Sequence, residues 1–176
     1  TDPGPWVGIC DRVHDKNGDV AFFDNMAARP IKKDTWQSYS VEGTMNEKAD
    51  KINFGGLCLN SGKFYFDDFQ FFVEDDAGRM KKVPLKNPDF EAEVSANNIP
   101  EWIEGVSANN PLRVKEFSIS SSNDKSQGKY ALLIEGKDVK PDAALTIGPR
   151  EGYTPQVGTL ISMLNNLSER VEATVA

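Results

Sequence analysis

Polar and apolar positions alternate in short bursts along most of this chain. "TWQSYSVEG", residues 35 to 43, alternates with a period of two, the pattern of a strand with one buried and one wet face. Other runs, such as "PWVGICDRV", "VAFFDNM", "DKINFGGLCLN" and "FYFDDFQFF", are more continuously apolar. Turn residues separate them. Asn17-Gly18 predicts a hairpin, because both residues tolerate a positive φ. Asn60-Ser61-Gly62 and Asp76-Ala77-Gly78 mark two more turns, and "EWIEGV", "LRVKEFSIS", "KYALLIEG" and "AALTIG" follow. From Trp6 to roughly Ile147 the pattern predicts about nine or ten short strands. That spacing belongs to an all-β fold, an antiparallel β-sandwich of the jelly-roll kind.

The tail changes period. In "TPQVGTLISMLNNLSERVEATVA", Val157, Leu160, Ile161, Leu164, Leu167, Val171 and Val175 recur at helical spacing. Thr154 is placed as an N-cap, with Pro155 at the first helical position. The spacing predicts an amphipathic C-terminal helix, so the expected division is a sandwich over 1–150 and a helical appendage, or the start of a following domain, over 151–176. Its apolar stripe must be buried on the sandwich, on a second copy by self-association, or on another domain.

Composition narrows the functional classes. The chain is 39% hydrophobic and 27% charged, ordinary for a domain with a real core. A net charge of -7 excludes nucleic acid as the expected partner, because phosphate binding needs a Lys/Arg patch and the basic residues here are interspersed with acidic ones. No window reaches the roughly 18 apolar residues of a membrane span. The chain starts at Thr1 rather than Met, so a processed chain or one cut from a longer protein is expected; the expected location is secreted or periplasmic, with a cytoplasmic one as the alternative. Cys10 and Cys58 both lie in apolar runs, where a free Cys acts as a small hydrophobe; their pairing is left open.

Catalytic patterns are missing from the sequence. There is one histidine, His14, in a turn, and no GxSxG, HExxH, phosphate loop or CxxC is present. "HDKNGD", residues 14–19, spaces oxygens like the start of a calcium loop, but it lacks the distal glutamate and reads as a solvated turn. No catalytic residue is assigned. For sugar recognition the supply of aromatic faces is Trp6, Trp36, Trp102, Tyr39, Tyr65 and Tyr153. Trp36 and Tyr39 lie three apart in an alternating strand and point to opposite faces, so they form no common platform. Trp102, after a Pro, is expected to pack. The polar "DNMAAR" segment nominates a ligand surface at Asp24, Asn25 and Arg29 beside Trp6.

Two segments resemble the galactose-binding-like jelly-roll modules found in carbohydrate-binding proteins. Residues 21–71 resemble the second half of such a module, through "FDNM", "RPI", "TW..Y", "I.FG" and "GK.YFDD". "LKNPDFEAEVSANNIPEWIEG" and "SQGKYALLIEG" resemble its first half. The halves stand in exchanged order, so the chain is either one circularly permuted sandwich or the end of one module and the start of another; its length favours one closed sandwich, since two half-modules would leave open edges. "GYTPQVGTLISMLNNLSERV" is similar to the first helix of DinB-like bundles, whose three histidines this chain lacks.

The jelly-roll resemblance implies a structural Ca2+ held by Asp67 and Glu91, with Asp68 and Asp89 as lesser candidates. Hard oxygen ligands suit that ion. The alternative is that Asp67 accepts backbone N–H bonds or pairs with Lys63 or Arg12. The implied function is a non-catalytic accessory module of an exported bacterial protein with a glycan as partner. The alternative is a structural or protein–protein interaction domain whose C-terminal helix mediates assembly.

Overall fold

The computed structural model describes residues 6–96, 98–105, 116–140, 143–150 and 158–170, with the last run, Trp6 and Gly105 described as backbone only. Among the described residues the chain forms twelve strands: β1 Trp6–Asp15, β2 Val20–Asp24, β3 Trp36–Met45, β4 Ala49–Leu59, β5 Gly62–Phe66, β6 Phe69–Glu74, β7 Met80–Val83, β8 Trp102–Gly105, β9 Phe117–Ser122, β10 Ala131–Gly136, β11 Ala144–Pro149 and β12 Gly158–Arg170. One sheet has the order β2-β1-β4-β11-β8. The other runs β7-β6-β12-β5-β10-β9, with β3 also paired to β12. Every pairing is antiparallel.

The main core lies between the sheets. Val7, Ile9, Cys58, Leu145, Ile147 and Trp102 of the first sheet meet Phe64, Phe66, Phe69, Leu132, Ile134, Phe117 and Ile119 of the second. A smaller cluster closes the other end, where Val13, Ile52 and Phe54 face Met45 and Phe71. The Phe54 and Phe71 rings stack across the layers, 4.4 Å apart and 7° from parallel. The all-β sandwich expected from the alternating pattern is what the chain builds.

The tail departs from its expected form. Gly158–Arg170, inside the stretch read as helix, is strand β12, bonded to β3, β5 and β6. Residues 154–157 and 171–176 of that expected helix lie outside the described residues. The physical reason is the vacancy the strand fills: β3 and the β5–β6 run present rows of backbone N–H and C=O groups, and a helix cannot satisfy them. The step of three between Leu164 and Leu167, helical in appearance, coincides with a shift in the β12–β3 register.

Two hairpins share one turn chemistry. Asp15 Oδ1 accepts the Asn17 and Asp19 amides, and Asp75 Oδ1 accepts the Ala77 and Arg79 amides. Gly18 (φ +87°) and Gly78 (φ +74°) each take the left-handed position that follows. Asn17, expected to share the positive φ, does not, because the Asp15 carboxylate holds it in the preceding turn. Cys10 and Cys58 are free thiols; Cys10 is opposite Gly55 and Cys58 opposite Val7 in the β1–β4 ladder, three steps apart. Burial pushes the Cys10 thiol up to about 11, with the Asp11 charge adding to it, and raises Cys58 well above its usual range.

Candidate functional site

β5 and β6 are two halves of one run, broken at Asp67-Asp68, and β12 follows both. Asp68 has φ +48°, so the chain twists between Phe66 and Phe69. Both phenylalanines stay in the core while the two carboxylates part company. Asp67 is fully buried. Its Oδ2 accepts the Ser126 hydroxyl at 2.8 Å, the Ser126 amide at 3.1 Å and the Gln127 amide at 3.2 Å. Its Oδ1 is buried without a hydrogen bond. Burial raises the Asp67 carboxyl above its ordinary value, outweighing the Ser126 hydroxyl and the amides of Gln127 and Ser126; the Asp68 amide also lowers it, short of hydrogen-bond alignment. Asp68 is half-buried and accepts the Gln70 side-chain amide at 2.8 Å.

Glu91 reaches the same loop from another direction. Its Oε1 accepts the Lys129 amide at 2.7 Å and the Tyr130 amide at 3.1 Å. A Cβ on Gly128 (φ +64°) would collide with that oxygen, so the close approach depends on glycine. The "NPDFE" segment is held firmly. Phe90 is buried at φ +52°, Asn87 bonds the Pro100 carbonyl and the Ala92 amide, and the Trp102 indole donates to the Lys86 and Asn87 carbonyls. The Phe69 amide donates to the Pro88 carbonyl at 2.8 Å, which ties "DDF" directly to "NPDFE". Trp102 is core, packed on Phe69 and Phe90.

Asp67 and Glu91 thus clamp residues 126–130 from two sides. Asp89 makes no part of that clamp among the bonds that define it. Among the described residues no group of three or more His, Cys, Asp or Glu is gathered as a metal cluster would need. A cation there would take the unbonded Asp67 Oδ1 and Glu91, then complete its shell from loop carbonyls and water.

The "DNMAAR" loop turns inward on itself. Arg29 forms a two-pronged bond with Asp24, at 3.1 and 2.7 Å, and that bond holds the Asp24 carboxyl below its ordinary value. Asp24 Oδ1 also accepts the Met26 amide, and Asn25 Oδ1 accepts the Ala27 amide. Met26 is buried at φ +61°, its sulfur accepting the Ile9 amide. Trp6 starts β1 opposite Leu59, whereas Asp24 pairs with Asp11 further along the same strand. The polar groups nominated for a ligand are therefore bonded to their own loop.

A different aromatic surface emerges on the outer face of the second sheet. Register aligns Trp36, Ser168, Tyr65, Leu133 and Ser120 in one row across β3, β12, β5, β10 and β9. Directly opposed residues share a face, and Tyr65 alternates with the core residues Phe64 and Phe66, so Tyr65, Leu133 and Ser120 face away from the core, with Tyr65 itself buried. Trp36 meets Tyr65 edge-on, centroids 6.4 Å apart at 73°. Its indole N–H donates to Asp124 Oδ1 at 3.2 Å. Tyr39 packs on the core side, as its spacing from Trp36 predicts. The sequence pattern gave no sign of the Trp36–Tyr65 pairing, because 29 positions and an intervening strand, β12, separate the two rings.

His14 Nδ1 lies 3.0 Å from the Gly18 carbonyl in the first hairpin turn. No helix among the described residues is long and apolar enough to cross a membrane. Comparison with family models, curated proteins and solved structures returns no match for this chain.

Proposed function

We propose that this chain is a non-catalytic accessory module that binds neutral glycans on the outer face of the second sheet, around Trp36. The observation that carries the reading is the Trp36–Tyr65 pair with Asp124 on the indole N–H. A half-buried indole, buttressed by a second ring, offers an apolar face to a pyranose. The galactose-binding-like resemblance, with its halves exchanged, agrees with such a module. In the same reading, Asp67 and Glu91 share a structural Ca2+ that stiffens residues 126–130. The buried, unbonded Asp67 Oδ1 supports a cation, since an ionised oxygen away from water is costly without one.

Affinity electrophoresis through gels cast with a panel of polysaccharides tests the reading. Wild-type chain is expected to be retarded on at least one, and Trp36→Ala to lose most of that retardation. Trp6→Ala distinguishes the surface at Asp24, Asn25 and Arg29: loss of binding there with Trp36→Ala intact moves the site. No retardation on any polysaccharide sinks the glycan reading. It favours the second one, a protein-interaction domain, for which Val20 (53% exposed) and Phe23 (45% exposed) on edge strand β2 provide an apolar contact.

A further inference from the structure

The acid clamp and the aromatic row are joined by one short stretch of chain. Asp67 holds Ser126 and Gln127; Glu91 holds Lys129 and Tyr130. Two residues before Ser126, Asp124 receives the Trp36 indole, and its own amide is fixed to the Ser122 hydroxyl at 3.0 Å. The other end of the stretch is equally anchored, because Tyr130 leads straight into β10. Asp67 also follows Tyr65, the ring under Trp36, by two positions on the same run of chain.

We propose that Asp67 and Glu91 are positioning residues for Trp36: by clamping residues 126–130 they set where Asp124 stands, and so how the indole is presented to a ligand. Indole orientation needs a fixed acceptor, and an acceptor on a loop is fixed only as well as the loop. The clamp supplies five hydrogen bonds to a loop with no regular structure of its own, three on Asp67 and two on Glu91. The consequence for ligand binding rests on the glycan reading; the positioning itself does not. A cation or any other event that rearranges the two carboxylates then acts on the ligand surface through a covalently continuous path rather than through the core.

The test uses full-length chain labelled with 5-fluorotryptophan, whose three indoles give separate fluorine resonances, with Trp36→Phe assigning that of Trp36. Asp124→Ala, which removes the acceptor, sets the shift expected of a released indole; Asp124→Asn, which keeps an oxygen, restores the wild-type position. Gly128→Ala pushes the loop off Glu91, and Glu91→Ala removes the oxygen that accepts the Lys129 and Tyr130 amides; neither touches Trp36. Both are expected to move the Trp36 resonance in the direction that Asp124→Ala does, with the Trp102 resonance of Gly128→Ala unmoved as the sign of an intact fold. A wild-type Trp36 resonance in Gly128→Ala and Glu91→Ala overturns the proposal; should one variant not fold, the other decides. On a polysaccharide that retards the wild type, both variants are expected to bind about fivefold more weakly, the size of one aromatic contact made poorly. Wild-type affinity in both, despite a shifted resonance, overturns the control of binding. If no polysaccharide retards the wild type, the glycan reading fails while the fluorine spectra still decide the positioning.

Discussion

Asp67 and Asp68 are adjacent, yet their surroundings pull them apart. Asp68 accepts from Gln70 on the outer face, while Asp67 is sealed in with its Oδ2 saturated and its Oδ1 unbonded. The raised carboxyl of Asp67 means that the folded state holds its proton at a higher pH than the unfolded chain does. Its effect on stability is therefore most favourable below the unfolded value, near 3.8, and is lost as pH rises through the folded value. Asp24, lowered by Arg29, acts in the opposite sense: it stabilises above its unfolded value, and that gain is lost as pH falls through the folded one. In metal-free buffer, Asp67→Asn is expected to remove the acid-side gain while leaving Tm at neutral pH unchanged or up to about 3 °C higher. A pH series of thermal melts checks this; a variant whose acid-side profile tracks the wild type would refute it.

In the proposed calcium reading, the ion would make the same carboxylate stabilising. Saturating Ca2+ at about 100 times its Kd is expected to add about 2.7 kcal/mol, several degrees of Tm, and a chelator to remove it. Asp67→Asn and Glu91→Gln should each abolish most of that increment. Identical melts of the wild type in Ca2+ and in chelator would leave Asp67 a carboxylate held only by the Ser126–Gln127 loop.

At the scale of elements, turns follow local chemistry and β12 does not. The two aspartate-led turns repeat because each needs only a carboxylate at the start and a glycine in the left-handed position. Gly78→Ala should accordingly cost about 1 kcal/mol, seen as a Tm roughly 3 °C lower, since the methyl group must adopt φ +74°. A variant as stable as the wild type would mean the hairpin relaxes to another turn. β12 has no such local cause. Its helical spacing is real, but strand pairing on both flanks outweighs a propensity difference of a few tenths of a kcal/mol per residue.

The whole molecule depends on that strand, because β12 lies between β3 and the β5–β6 run. Deleting residues 158–170 opens two strand edges at once. The expected outcome is association or loss of cooperative unfolding, read by size-exclusion chromatography with light scattering and by circular dichroism. A monomer with an unchanged melt would show that the sheet closes without it. The two cores explain the stakes: each is built from facing aromatics and aliphatics of both sheets, such as Phe54 on Phe71, and a sheet split at β12 could not hold the second layer in register.

What the sequence by itself determined is the set of local decisions. Period-two alternation in "TWQSYSVEG", the glycine-bearing turns and the apolar runs specify antiparallel strands, because side-chain direction and turn φ are settled within a few residues. The alternation also parted Trp36 from Tyr39, and the structure keeps them on opposite faces. Tertiary structure decided everything that required distant segments to meet. It turned the C-terminal periodicity into a strand, because hydrogen-bonding groups elsewhere in the fold needed partners. It brought Trp36 against Tyr65 and its indole N–H to Asp124, a residue 88 positions further along the chain. It also set Asp67 and Glu91 against one loop, residues 126–130, which residue patterns of either segment alone do not contain. Spacing along a chain reports direction and period; only folding reports distance.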